Sequence, residues 1–174
     1  MFVKRCSLFS VIMVSIFLFT YSAHPATKDE IESLKGLTGV LVLVEEFRNE
    51  IKKELPFDEN QIRVDVELKL RTAGIKVFSK EEMLKTPRLA YLYINLDRHR
   101  ITEMPMFYFS IAINLRQWVY LKRNPNIHLT GTTWYIHSMG TVGEDRTSQI
   151  REAIKDDIDI FINDYLSVNP KGGK

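Results

Sequence analysis

The sequence predicts an α+β fold: a single two-layer sandwich whose sheet is mainly antiparallel, with helices packed on one face and a long C-terminal helix. Three observations predict it. Between residues 107 and 121, Phe107, Phe109, Ile111, Ile113, Leu115, Val119 and Leu121 take odd positions, while Tyr108, Ser110, Asn114, Arg116, Tyr120 and Lys122 are even, so one sheet face is core and the other largely wet. Between 150 and 166, Ile150, Ile154, Ile158, Phe161, Ile162, Tyr165 and Leu166 recur at three and four, which makes one apolar helix stripe wide enough to cover a sheet. The segments before and between these follow the order β-α-β-β-β-β-α, and short links between successive strands force antiparallel pairing.

Taken in order, the chain opens with Lys4 and Arg5, an apolar run from Cys6 to Tyr21 and then small residues and a proline, the order of a secretory signal. Residues 1–26 are therefore expected to be a signal peptide, or an N-terminal anchor in the inner membrane if uncleaved, and the protein to be exported to the periplasm or beyond. Residues 27–168 form the single domain and 169–174 a disordered tail. Thr27 and Glu30 have capping-box spacing, which starts a short helix running to Lys35. Gly36 and Gly39 break it before VLVLVEEF, a β-branched run that predicts a strand buried on both faces. Phe47, Ile51 and Leu55 then stand four apart, a helical face that Pro56 stops.

The stretch IRVDVELKLR from Ile62 alternates apolar and charged residues, and periodicity alone reads it as a strand. Its ends read as a helix. Asp58 and Gln61 form a capping box, Phe57 and Ile62 a hydrophobic staple, and Gly74 with Ile75 can close a Schellman motif on Leu70. Asp65 with Lys69 and Glu67 with Arg71 stand four apart with the acid first. A helix over 59–73 is therefore expected, with Ile62, Val66, Leu70 and Ala73 on one stripe and Val64 with Leu68 nearly opposite as a second helix surface. IKVF follows as a strand, and Ser79 with Glu82 opens a short helix ended by Pro87. In RLAYLYINLD, Ala90, Leu92, Ile94 and Leu96 share the core face, and Tyr91, Tyr93, Asn95 and Asp97 the other. Asn124-Pro125-Asn126 reads as a turn, and the strand after it carries Gly131 as a bulge.

Without residues 1–26, Lys+Arg falls from 24 to 22 against 22 Asp+Glu, and the single cysteine is lost. A neutral chain argues against nucleic acid or a broad anionic surface as partner, so membrane contact is expected only through residues 1–26. With no cysteine there is no disulfide, thiolate metal site or cysteine nucleophile. The chain has no Walker loop, dinucleotide fingerprint, HExxH or calcium loop, so no catalytic residue, metal site or cofactor is expected. His128 and His137 flank Trp134 at an odd separation and share an ion only if a bulge shifts their register. Asp97, His99 and Glu103 read as a solvated hairpin tip.

Tyr91, Tyr93, Tyr108, Trp118 and Tyr120, with Arg116 among them, fall on the sheet face opposite the core. Aromatics around an arginine are enriched where proteins bind proteins. The expected function is a non-catalytic exported protein that binds another protein or self-associates through this face. A small-molecule or lipid carrier, with an apolar cavity between sheet and C-terminal helix, is the alternative. The element order resembles that of lipopolysaccharide-assembly lipoprotein domains and the N-terminal domain of TolB-like proteins, and for the carrier reading that of START-like domains; the resemblance lies in element order alone.

Overall fold

The odd-numbered apolar row from Phe107 lies in the middle of the sheet, and the other elements are arranged around it. The computed structural model describes residues 22–23, 26–86 and 89–170, so most of the leader expected over 1–26, Pro87 and residues 171–174 lie outside the described residues. The strands are β1 (Ser22–Ala23), β2 (Leu41–Val44), β3 (Tyr91–Arg100), β4 (Met106–Leu121) and β5 (Asn124–Gly143); the helices are α1 (Lys28–Glu32), α2 (Asn49–Lys52), α3 (Glu59–Thr72), α4 (Lys80–Lys85) and α5 (Gln149–Val168).

The sheet has the order β1-β5-β4-β3-β2. β3, β4 and β5 form an antiparallel meander, β2 joins β3 in parallel, and β1 adds two residues at Ser138 and Met139. The parallel pair needs a crossover, and α2, α3 and α4 supply it. This is the α+β two-layer arrangement that the alternation and the last helix predict.

The α3 segment is a helix because its ends say so. Asp58 accepts the Gln61 backbone N–H at 2.8 Å and Gln61 Oε1 accepts the Asp58 N–H at 2.9 Å. At the other end Gly74, at φ 83°, and Ile75 donate to the carbonyls of Arg71 and Leu70, the two bonds of a Schellman motif. Ile62, Val66 and Leu70 are buried under it. Glu67 pairs with Arg71 as expected at 2.8 Å, but Asp65 and Lys69 do not pair with each other. Arg151 grips Asp65 through Nε and Nη2 at 2.6 and 2.9 Å, Lys155 approaches it at 3.6 Å, and Lys69 reaches Asp159 at 2.6 Å. A planar guanidinium offering two bonds to Asp65 outcompetes one lysine on the same helix. Its hydrogen bond leads the causes that hold the Asp65 carboxyl below the usual carboxylate range.

The core lies between the sheet and the pair α3 and α5. Leu92, Ile94, Phe109, Ile111, Ile113 and Leu115 meet Ile154, Ile158 and Phe161 there, all buried. Trp134 packs edge-on against Phe161 with ring centroids 5.0 Å apart, and its indole N–H donates to Asp164 at 2.9 Å. One polar pair is enclosed with them. Ser138 donates to Asp157 Oδ2 at 2.6 Å, and the other carboxylate oxygen is buried without a hydrogen-bond partner among the described residues. Burial raises this carboxyl from 3.8 to about 7.

Several elements differ from the sequence expectation. IKVF makes one parallel bridge, Val77 to Val40, and then turns into α4, because Ser79 caps that helix before a second rung can form. The face of Phe47, Ile51 and Leu55 is buried as expected, although only one helical turn, α2, underlies it. β3 runs on to Arg100, so Asp97 and His99 lie in a strand and Glu103, at φ 66°, in the turn after it. The turn between β4 and β5 is Lys122-Arg123, with Leu121 opposite Asn124, and Asn124-Pro125-Asn126 already belongs to β5. The register shift near Gly131 falls at Thr133, which has no partner between Leu115–Trp134 and Arg116–Thr132. Gly131 instead pairs with Gln117, and a Cβ there would stand 2.9 Å from Val119. Asn169, assigned to the tail, caps α5 and binds Leu34 O and the Gly36 N–H.

Candidate functional site

Even positions on β4 and odd positions on β3 put Tyr91, Tyr93, Tyr108, Arg116, Trp118 and Tyr120 on the sheet face that carries no α3 or α5. The six residues do not form one patch. Tyr108 and Tyr120 are twelve residues apart on one strand, about 40 Å at roughly 3.3 Å per residue. Three groupings result.

The central grouping is the most ordered. Tyr91 stands opposite Arg116 in the register, and the Arg116 guanidinium lies 4.6 Å from the centroid of the Tyr93 ring, a cation–π contact. The Tyr93 hydroxyl donates to Glu45, which also accepts from the Asn95 amide. That hydrogen bond to a carboxylate, followed by burial, raises the Tyr93 hydroxyl above its ordinary value. The ring is thus fixed at its face by a cation and at its tip by an anion while remaining half-buried.

Toward the β4–β5 turn, His128 packs between Trp118, tilted against it at 4.7 Å, and Tyr120, edge-on at 5.8 Å. At the opposite end Tyr108 donates to the Met139 sulfur at 3.9 Å. Tyr135 and Met139 also lie exposed on this face. Sequence reading missed them because the extra residue at Thr133 reverses which positions of β5 point outward, and the Gly131 signal placed that residue two positions too early.

The Thr133 bulge brings His128 and His137 onto the same face, opposite Tyr120 and Ala112. They are eight β4 residues apart, about 25 Å at roughly 3.3 Å per residue, so no ion is shared. Among the described residues no group of three or more His, Cys, Asp or Glu side chains could hold a metal.

Arg98, between the Asp97 and His99 that the sequence reads as a solvated tip, is buried. Its guanidinium lies 3.7 Å from the Phe107 ring centroid and donates to Glu54, with Nε and Nη1 buried and unpartnered among the described residues. Burial, then the neighbouring Arg100, pushes its pKa down.

On α3, Val64 and Leu68 are 50% and 62% exposed, so no described segment covers the second stripe. Replacing both with lysine is therefore expected to change stability by no more than about 0.5 kcal/mol in urea unfolding. A loss of several kcal/mol would mean that the stripe is covered within the chain.

No family model matches the chain, and no curated protein matches it. Among solved structures, a point variant of PelC from Paraburkholderia phytofirmans, solved as a dodecamer, is similar at 12% identity and a TM-score of 0.43, over 82% of this chain and 97% of that one. A second PelC dodecamer from the same organism gives 12% identity and a TM-score of 0.41, over 87% and 96%.

Proposed function

We propose that this is a non-catalytic exported protein whose sheet face opposite α3 and α5 binds another protein or a second copy of the chain. The observation that carries the reading is the locked Tyr93, under Arg116 and against Glu45. Binding energy at protein interfaces concentrates in a few Tyr, Trp and Arg side chains, and a ring already held in place loses little entropy on contact. Export rests on the basic, apolar and small-residue order of the first 26 residues.

The carrier reading has less support. The space it reserves between sheet and α5 is taken by Trp134, Phe161, Ile113 and Ile158, all fully buried. A groove of about 740 Å³ does lie at the outer edge of β2, but charged side chains including Lys52, Arg63, Glu67 and Arg71 wall it.

The test is light scattering together with capture from an envelope extract, using the parent chain and Tyr93→Ala with Arg116→Ala. Both residues are partly exposed, so the variant keeps its core. Truncating a hot-spot residue costs at least about 2 kcal/mol, or roughly thirtyfold in affinity. A parent chain that is strictly monomeric and captures nothing, or a variant that associates as tightly as the parent, overturns the proposal.

A further inference from the structure

Beyond Leu115 and Trp134, the last rung over the core, β4 and β5 continue as a two-stranded ribbon that turns at Lys122-Arg123. From Leu115 to Leu121 this ribbon projects about 20 Å, six residues at roughly 3.3 Å each. Its base still touches the domain, where Gln117 donates to Ser33 O at 3.2 Å and the Trp118 indole nitrogen is buried, but among the described residues nothing covers the tip. Trp118 and Tyr120 lie on one face of the ribbon, Val119, Leu121 and Leu129 on the other, and every residue from 122 to 130 is exposed. Tyr120, Ile127 and Leu129 are 59, 45 and 44% exposed. Apolar groups on both sides of a bare two-stranded ribbon are unusual, because such a ribbon has too little core to be stable by itself.

The charge on this part of the chain is one-sided. From Met104 to Gly143 there is no Asp or Glu, and the charged side chains are Arg116, Lys122 and Arg123. Lys122 and Arg123 make no ion pair among the described residues. The neutral total for residues 27–174 conceals this, since the compensating acids lie elsewhere.

We infer that the tip of the β4–β5 ribbon docks at the headgroup level of an anionic lipid surface. Tyr120 suits that boundary, where one end of the ring is apolar and the other wet, and Ile127 and Leu129 beside it reach the first acyl carbons. Lys122 and Arg123 have stems long enough to lie along apolar groups while their charges meet lipid phosphates. A protein partner seated on a ribbon covers one of its faces, whereas a lipid interface surrounds a tip on all sides. The docking is shallow, and among the described residues no helix is long and apolar enough to cross a membrane. The inference goes beyond the protein-binding reading and uses different residues from the Tyr93 grouping.

The test is co-sedimentation of the chain as recovered from cells with vesicles of phosphatidylcholine alone or with phosphatidylglycerol added, at low salt, always comparing parent and variants so that any leader is common to both. The chain has two tryptophans and Trp134 is fully buried, so a blue shift of emission reports Trp118. Binding and a blue shift are expected only where phosphatidylglycerol is present. Lys122→Gln with Arg123→Gln is expected to weaken binding about thirtyfold, since each cation near an anionic surface contributes about fivefold. Ile127→Ser with Leu129→Ser is expected to abolish the shift, and Tyr93→Ala to leave both signals unchanged. No preference for phosphatidylglycerol, or tip variants that bind vesicles like the parent, overturns the inference. So does a loss of protein capture in the tip variants with vesicle binding intact, which would assign the ribbon to a protein.

Discussion

Trp134→Ala is expected to destabilise the domain by about 3–5 kcal/mol, read as a fall in the urea midpoint at constant slope. The residue is fully buried, and alanine would leave a void between β5 and Phe161 that the surrounding isoleucines cannot fill without abandoning their rotamers. The Asp164 carboxylate also loses the indole N–H it accepts. Domains of this size are stable by about 5–15 kcal/mol, so the variant stands near its unfolding threshold and is best measured in the cold half of its stability range. Trp134→Phe keeps an aromatic contact with Phe161 and is expected to cost clearly less. A loss below about 1 kcal/mol for the alanine variant would show that Trp134 is not in the core.

Asp157 is expected to make the domain lose stability as the pH rises from about 4 to about 7. Its folded pKa, about 7, lies above the ordinary 3.8 of an unfolded aspartate, so the folded chain holds the proton where the unfolded chain has released it. The stabilisation is complete below the unfolded value and has gone once pH passes the folded one, a difference on the order of 4 kcal/mol. Asp65 and Asp97, whose pKa values are lowered, act in the opposite direction and at lower pH, below the ordinary carboxylate range. Comparing Asp157→Asn with the parent cancels their contribution. The asparagine can still accept the Ser138 hydroxyl proton, and its stability is expected to be flat in the window where the parent declines, so that it exceeds the parent above pH 7. Parallel curves for the two proteins across pH 4–7 would place the Asp157 carboxyl in a solvated site.

What was legible in the sequence depended on whether a segment's neighbours are local. The two faces of β4 were readable from Phe107 to Leu115, where every core position is apolar and most opposite ones are polar or aromatic; Val119 and Leu121, expected on the same core row, run past the core and are only partly buried. Helix α3 was readable against its own alternation because both ends carry bonds that close within five residues. The partners of Asp65 and Lys69 were not, since they lie on α5, more than eighty residues away. Nothing in IKVF shows that its pairing ends after one rung; that is decided by the Ser79 cap and by the position of β2. The candidate face was legible on β3 and β4 and missed on β5, where one unpaired residue decides which side chains point outward. Nothing local to Ser138 or Asp157 marks them as a pair, and only the packing of α5 on β5 encloses them.

The bulge at Thr133 also sets where the longest strand can tolerate insertions and deletions. On the core side of it the inward residues are even-numbered, from Trp134 to Val142, and one residue gained or lost there would turn that row toward solvent. On the tip side residues 122–130 are all exposed, and a change in length there leaves the buried row in place. The strand therefore has a fixed half and an adjustable half, and the adjustable half is the one that meets the surroundings.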